Sequence, residues 1–170
     1  AGAVDSSQVT ADAAHQYEQY VIIDGVEYDA TEDHSGEGWR SYYDEYNNDL
    51  RISLRDYNGG SIISNIDLGI TIGGTSVIAG TSYYGIYTTG ELHFGVSVRN
   101  GQVGHLTVSG ADGYNAIHSD KIAFIGGDLT AIGGNCPAIS ANEDITLSTY
   151  WPSKTWVGDT VESAQEGIYS

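Results

Sequence analysis

The sequence predicts an all-β fold, a parallel β-helix (solenoid) in which short strands and tight turns stack as successive coils. The first observation is compositional: the 170-residue chain has 23 Gly but only two Pro. It is also rich in Thr, Ser, Val and Ile, which favour strands. The second observation is a ten-residue phrase that returns along the chain, since periods of about 20 to 50 residues are typical of stacked repeats.

The repeated phrase is GIYTTGELHF at residues 85–94, and versions of it read SIISNIDLGI, AIHSDKIAF and AISANEDITL. Its first letters return once more as GIYS at 167–170. The isoleucine of each copy serves as an anchor, and successive anchors are about 22 to 31 residues apart. The five anchors are Ile62, Ile86, Ile117, Ile139 and Ile168. We expect them to form an inward ladder, because like positions of stacked strands lie about 4.8 Å apart.

Each repeat contains two or three short apolar stretches separated by Gly-rich turns and no helical period. This content favours a β-helix coil over a leucine-rich repeat or a propeller blade. Residues 73–87 align without gaps with residues 126–140, which supports the repeat. The longer intervals are explained as loops that extend from one corner, such as residues 95–104.

The first 20 residues differ from the rest, so the prediction is an N-terminal arm or cap (1–20) followed by one β-helix domain (21–170). Thr10 is a candidate N-cap for a short helix with apolar residues at i, i+4 spacing, and an extended arm is the alternative. Beyond the arm, Asp24-Gly25 predicts a hairpin, and Asn58-Gly59-Gly60 predicts a turn.

The charge balance restricts the partners. Six Lys plus Arg against 23 Asp plus Glu give a formal net charge of -17, which repels nucleic acid and anionic membranes at long range. We therefore expect no nucleic-acid partner and no membrane insertion, and no apolar run is long enough for a transmembrane helix. An anionic partner would need a bridge such as Ca²⁺.

The start of the chain predicts a secreted, extracellular protein. AGAVDSSQVT is small and polar, as expected after removal of a signal peptide, and the chain contains no Met. Cys136 is the single cysteine, so no internal disulfide framework is expected.

Several phrases resemble a known family. GWRSYYDEYNNDLRISLRDYNGGSI, IDLGITIGGTSVIAG, GIYTTGELHF and IAFIGGDLTAIGG are similar to the repeats of secreted, clostridial-type carbohydrate-binding β-helix proteins, whose fold is pectate-lyase-like. The likeness covers residues 20–148. It implies a right-handed parallel β-helix, secretion, Ca²⁺ sites and binding of plant-type polysaccharides. No ligand residues of that family are transferred to this sequence.

Charged residues recur at one position of the repeat. Asp67, Glu91 and Asp144 lie five residues after their anchors, with Lys121 in the repeat between the last two. The two interpretations are a solvated charge ladder, worth little per pair, and a Ca²⁺ site. Oxygen ligands for Ca²⁺ would come from Asn142, Glu143 and Asp144.

Aromatic residues gather near predicted loops and are candidates for contacts with a sugar or another subunit. The candidates are Tyr83, Tyr84, Tyr87, Trp151 and Trp156. The alternative is that these rings cover the core of a thin fold.

Catalysis is not predicted. A lyase-like site needs clustered carboxylates and a base, yet Arg99 and Lys121 are the only basic residues of the repeat region, and the histidines are scattered. We expect a non-enzymatic subunit that stacks end to end into an extracellular fibre, because GIYS resembles an unfinished repeat. The alternative is a monomeric carbohydrate-binding module.

Overall fold

A computed structural model of the chain describes residues 10, 13–147, 161–164 and 168–169. These residues form an all-β structure, as predicted, and no helix occurs among them. In the described ranges there is accordingly no helix that is long and apolar enough to cross a membrane.

The N-terminal third forms six strands before the first repeat. They are β1 (Tyr20–Ile23), β2 (Val26–Asp29), β3 (His34–Gly36), β4 (Trp39–Asp44), β5 (Asp49–Arg55) and β6 (Asn58–Gly59).

The repeat region continues with short strands in the same order in each repeat. The first two repeats contain β7 (Ile62–Ser64), β8 (Asp67–Gly73), β9 (Thr75–Ala79), β10 (Ile86–Thr88), β11 (Glu91–Val96), β12 (Val98–Arg99), β13 (Gln102–Val103) and β14 (His105–Ser109). The later ones contain β15 (Ile117–Ser119), β16 (Lys121–Phe124), β17 (Asp128–Ile132), β18 (Ile139–Ala141), β19 (Ile145–Leu147), β20 (Val161–Ala164) and β21 (Ile168–Tyr169).

Successive strands of each repeat belong in turn to three different sheets. The first sheet has the order β2-β1-β7-β10-β15-β18-β21, the second β19-β16-β11-β8-β5-β4-β3, and the third β20-β17-β14-β9-β6. From β5 onward every neighbouring pair in the three sheets is parallel, whereas β1 to β4 pair antiparallel. Strands β12 and β13 form a separate antiparallel hairpin within the predicted loop 95–104.

The core lies between the three sheets and is built from columns of like residues. In the second sheet, Leu50 pairs with Leu68, Leu68 with Leu92, and Leu92 with Ile122. The third sheet contributes Ile78 and other buried residues to the same cluster. Side chains of successive strand residues point to opposite faces, so the alternate residues of these strands face outward.

The predicted hairpin at Asp24-Gly25 is confirmed. Strands β1 and β2 pair with Ile23 opposite Val26, and both turn residues have positive φ, 50° and 79°, as a two-residue hairpin turn requires. Strand β1 also pairs antiparallel with β7, so the hairpin lies along the N-terminal edge of the first sheet.

The segment before β1 is bent, with no helix among its described residues. It is held by the buried carboxylate of Glu27, which accepts hydrogen bonds from the backbone N–H of Gln16 (2.5 Å) and Tyr17 (3.1 Å). Nδ1 of His15 lies 2.7 Å from the same carboxylate, and the His15 ring stacks on Tyr20 at 3.7 Å. These contacts to one carboxylate hold the segment in a bent conformation. The backbone N–H groups of Gln16 and Tyr17 donate to Glu27 and so are not available for the hydrogen bonds of the predicted short helix.

The predicted turn at Asn58-Gly59-Gly60 is partly wrong, because Asn58 and Gly59 form β6 and pair with Val77 and Ile78. The chain bends at Gly60, whose backbone N–H donates to Oδ1 of Asp24 in the β1–β2 turn at 2.7 Å. A two-residue strand has no periodicity that a sequence pattern could reveal.

Candidate functional site

The five anchor isoleucines are consecutive neighbours in the first sheet. Ile62 pairs with Ile86, Ile86 with Ile117, Ile117 with Ile139, and Ile139 with Ile168. The side chains of the first four are buried in the core. A position of this kind packs and does not meet a ligand.

The charged residues of the repeat lie in one column of the second sheet. Glu91 pairs with Lys121 in register, and the backbone N–H of Glu91 donates to Oδ1 of Asp67 at 2.8 Å. Nζ of Lys121 lies 3.6 Å from the carboxylate of Glu91 and 3.3 Å from that of Glu143. These pairs are exposed, and exposed ion pairs contribute little to stability. The hydrogen bond and the charge of Glu143, followed by the charge of Glu91, raise the pKa of Lys121.

The three residues predicted as Ca²⁺ ligands contact other protein groups in part. The side-chain amide of Asn142 donates to Oδ1 of Asp120 at 2.7 Å, and Glu143 pairs with Lys121. The side chain of Asp144 is exposed. No group of three His, Cys, Asp or Glu with the spacing of a metal site occurs within the described ranges. Ca²⁺ binding by these residues therefore stays a prediction.

The predicted tyrosines come together on the outer face of the first sheet. Tyr84 stacks on Tyr87 at 4.9 Å and on His118 at 5.4 Å, with interplanar angles of 24° and 20°. Tyr83 and Tyr114 pack against the edge of this stack. The rings of Tyr84, Tyr87 and His118 are half-buried, and contact of these tyrosines with a sugar or another subunit stays a prediction. Trp151 and Trp156 lie outside the described residues.

A groove of about 560 Å³ lies on the outer side of the second sheet, and sequence analysis did not identify it. It is lined by Gly36, Gly38, Trp39, Arg40, Ser53, Leu54, Arg55, Thr71, Ser97 and Arg99. Three of these ten residues are arginines, and none carries a carboxyl group, an imidazole or a thiol.

The elements around the groove place its three arginines on different walls. Arg40 on β4 is opposite Ser53 on β5, and Ser53 is opposite Thr71 on β8. The short side chains of Ser53 and Thr71 line the groove beside the longer side chain of Arg40. Arg55 ends β5, and Arg99 ends β12 in the separate hairpin of β12 and β13.

Arg55 is held in a defined position. Its Nη2 donates to Oγ of Ser97 at 3.1 Å. Its strand neighbour is Gly73, where an added Cβ would lie 2.8 Å from Nη2. A side chain at position 73 would therefore shift the flexible end of Arg55 and would also lie 2.9 Å from the carbonyl oxygen of Leu54.

The three arginines differ in their surroundings from Arg51 and Lys121, the other two cationic residues in the described ranges. Arg51 lies 3.1 Å from the carboxylate of Asp44 and 3.5 Å from that of Asp49, and Lys121 has two carboxylates within reach. In the part of the chain that the structure describes, no carboxylate forms an ion pair with Arg40, Arg55 or Arg99. A guanidinium is protonated at every accessible pH and offers five donors that match planar anions. The groove is thus a cationic pocket in a protein with a net charge of -17.

The sequence gives only a weak signal for this groove. Arg99 is noted as one of two basic residues in the repeat region, but Arg40 and Arg55 are far from it along the chain. The register of β4, β5 and β8, together with the hairpin of β12 and β13 that carries Arg99, brings the three together. Arg40 could have been identified as an arginine at an outward position of a predicted strand with no acidic residue predicted opposite it.

Comparison of the chain with protein-family models, with curated proteins and with solved structures found no match.

Proposed function

We propose that this chain is a non-enzymatic binding module whose arginine-lined groove holds the acidic groups of an anionic polysaccharide. One observation carries the proposal: three of the six cationic residues of a very acidic protein line one groove, without a carboxylate partner in the described ranges. Keeping like charges together has an electrostatic cost. A bound carboxylate or sulfate offsets that cost.

The lining favours binding over catalysis. Polysaccharide cleavage by hydrolysis needs a pair of carboxyl groups, and lyase chemistry in the family resembled needs clustered carboxylates. The ten residues that line this groove include no carboxyl group. Their hydroxyl and guanidinium groups are suited to hydrogen bonds with sugar hydroxyls and acidic substituents.

A polysaccharide is a better fit than a nucleic acid. A duplex carries one charge per about 1.7 Å, so it would meet the acidic surface along its whole length. A saccharide chain carries fewer charges and many hydroxyl groups, which three arginines and three small hydroxyl residues can accommodate. Nucleic-acid binding is nevertheless an outcome that the experiment below would detect.

We further propose that the three sheets are the three faces of a right-handed parallel β-helix. The rotation of strands among three sheets and the in-register anchors support this architecture. Parallel crossovers are right-handed in nearly all known cases, which supports the hand. An extracellular location, which remains part of this proposal, fits the proposed ligand.

The end-to-end fibre ranks second among our proposals. Stacking through backbone pairing would join the edge strands β2, β3 and β6, which have four, three and two residues, to the opposite edge strands β21, β19 and β20, which have two, three and four. Very short edge strands are a common means of preventing edge-to-edge association. Negative-stain imaging over a range of concentrations would show uniform filaments if the fibre were correct, and separate particles if the module is.

Calorimetric titration with hexuronic acid oligomers, sulfated oligosaccharides and a neutral oligosaccharide tests the proposed function. We expect binding of at least one anionic ligand and none of the neutral one. Arg40→Gln should weaken that binding about tenfold or more, since a hydrogen bond to a charged group contributes about 1.5–3 kcal/mol.

Arg51→Gln is the matched control, because it removes the same charge from an arginine that does not line the groove. It should leave the affinity nearly unchanged. Equal losses in the two variants, binding of the neutral ligand alone, or a preference for nucleic acid would contradict the proposal.

A further inference from the structure

The groove does not end at Arg55 and Arg99. A second cavity of about 310 Å³ lies on their other side, and both arginines line it as well. Its other walls include Thr75, Asn100, Gln102 and His105. The two guanidinium groups therefore stand between two adjoining cavities.

The two cavities differ in chemistry. The first contains a further cation, Arg40. The second has uncharged polar groups from Thr75, Asn100 and Gln102, and its histidine is already engaged, with Nδ1 of His105 2.7 Å from Oδ2 of Asp128. Uncharged amides and hydroxyls are suited to sugar hydroxyl groups, whereas Asp128 beyond the histidine repels a further anion.

We call the two guanidinium groups between the cavities the Arg55–Arg99 divide. The backbone holds Arg99 and Gln102 side by side at this divide. They are opposite each other in the hairpin of β12 and β13. The turn between them is Asn100-Gly101, with φ of 53° and 75°, the combination expected of a tight two-residue hairpin. Arg55 is fixed from the other side by Ser97.

On the basis of the proposed function, we infer that the ligand is an internal stretch of a linear anionic polysaccharide that crosses the Arg55–Arg99 divide. One acidic sugar lies in the first cavity, and the next sugar lies in the second cavity with its hydroxyl groups on Thr75, Asn100 and Gln102. A single sugar would fill only one of the two cavities. Affinity should therefore rise with chain length until both cavities are filled.

The test is a titration of the protein with monomeric hexuronic acid and with its linear dimer, tetramer and hexamer, repeated with sulfated chains of matched length. For the unmodified protein we expect the longer oligomers to bind about tenfold or more tightly than the monomer, because a tethered second contact gains from effective concentration. Gln102→Glu places a negative charge in the second cavity. It should lower the affinity for the longer oligomers by a larger factor than the affinity for the monomer, and so remove most of that gain. Monomer affinity also falls, because position 102 lies opposite Arg99, which lines both cavities.

Asn58→Asp is the control, since it introduces the same charge at an exposed residue that lines neither cavity. It should keep the full length dependence. Thr75→Val is a second variant, which removes a hydroxyl group without adding charge and should lower oligomer affinity only. Circular dichroism of each variant verifies the fold.

The outcomes separate the two proposals. Equal affinity for monomer and hexamer, or an unchanged length dependence in both Gln102→Glu and Thr75→Val, would overturn the two-cavity inference and leave the proposed function intact. Absence of binding to every anionic ligand, at all lengths, would overturn the proposed function and this inference with it.

Discussion

Arg40 and Arg51 lie on neighbouring strands, yet their electrostatic surroundings are opposite. Arg51 is within 3.5 Å of two carboxylates, whereas the strand neighbour of Arg40 is Ser53. A guanidinium that is already paired gains little from a further anion. The difference between the two arginines is therefore what converts one face of an acidic protein into a candidate anion site.

A buried anchor isoleucine should contribute far more to the free energy of unfolding than an exposed isoleucine outside the anchor positions. Ile117 is fully buried between Ile86 and Ile139, and Ile117→Ala should lower the free energy of unfolding by about 2–5 kcal/mol. Ile132 is 37% exposed, so Ile132→Ala should change it by about 0.5 kcal/mol or less. Urea unfolding of both variants measures the difference, and similar losses would contradict the inward ladder.

His118 should make stability depend on pH. Burial lowers the pKa of His118, against a smaller opposite effect of Asp120, so folding favours the neutral ring. Unfolding restores a pKa of about 6.5. The stability that this ring contributes is thus present above about pH 6.5 and is lost as the pH falls through the lower, folded pKa.

We expect the free energy of unfolding to fall more steeply between about pH 7.5 and pH 5.5 in the unmodified protein than in His118→Phe. Phe keeps a ring on Tyr84 and Tyr87 but does not titrate, so the other titrating groups contribute equally to both proteins. Urea unfolding at several pH values gives the two slopes. Parallel slopes would contradict a lowered pKa of His118 in the folded protein.

Among the elements, the hairpin of β12 and β13 has the most direct link to function. It lies outside the three sheets and carries Arg99 over the groove. Its Asn100-Gly101 turn depends on the identity of these two residues. Positive φ at both positions is accessible to Asn and Gly but costly for a β-branched residue. The hairpin therefore positions Arg99, which we propose contacts the ligand, without contributing to the core.

Gly101→Val should weaken anion binding severalfold and change the melting temperature little, because φ at this residue is 75° and the hairpin would deform. Gly25→Val is the matched control. Gly25 has φ 79° in the β1–β2 turn, which is away from the groove, so this variant should lose stability and keep affinity. Calorimetry and thermal unfolding of both variants test the pair, and a reversed pattern would contradict this role of the hairpin.

At the scale of the whole molecule, the repeat was predictable and the site was not. Ile62, Ile86 and Ile117 recur in similar phrases, so their alignment in one sheet follows from period and burial alone. Arg40, Arg55 and Arg99 share no motif, and their convergence depends on strand register and on one hairpin. Register follows from burial and turn geometry across the paired strands, and no short motif of the sequence marks which outward side chains it brings together.

The whole-molecule charge leads to a further prediction about metals. With a net charge of -17, the sequence suggests that an anionic partner needs a Ca²⁺ bridge. The groove supplies positive charge from arginines instead. We expect anionic oligosaccharides to bind with unchanged affinity in excess chelator, measured by calorimetry. Loss of binding that Ca²⁺ restores would contradict the arginine groove and favour the residues near Asn142.

The most direct measurement is nuclear magnetic resonance of protein labelled with ¹⁵N at arginine only. The chain has four arginines, at positions 40, 51, 55 and 99, so four side-chain Nε–Hε signals are expected. On titration with an anionic hexuronic acid oligomer, the signals of Arg40, Arg55 and Arg99 should shift together, and that of Arg51 should stay in place. Equal shifts of all four signals, or a saturable shift confined to Arg51, would contradict the account.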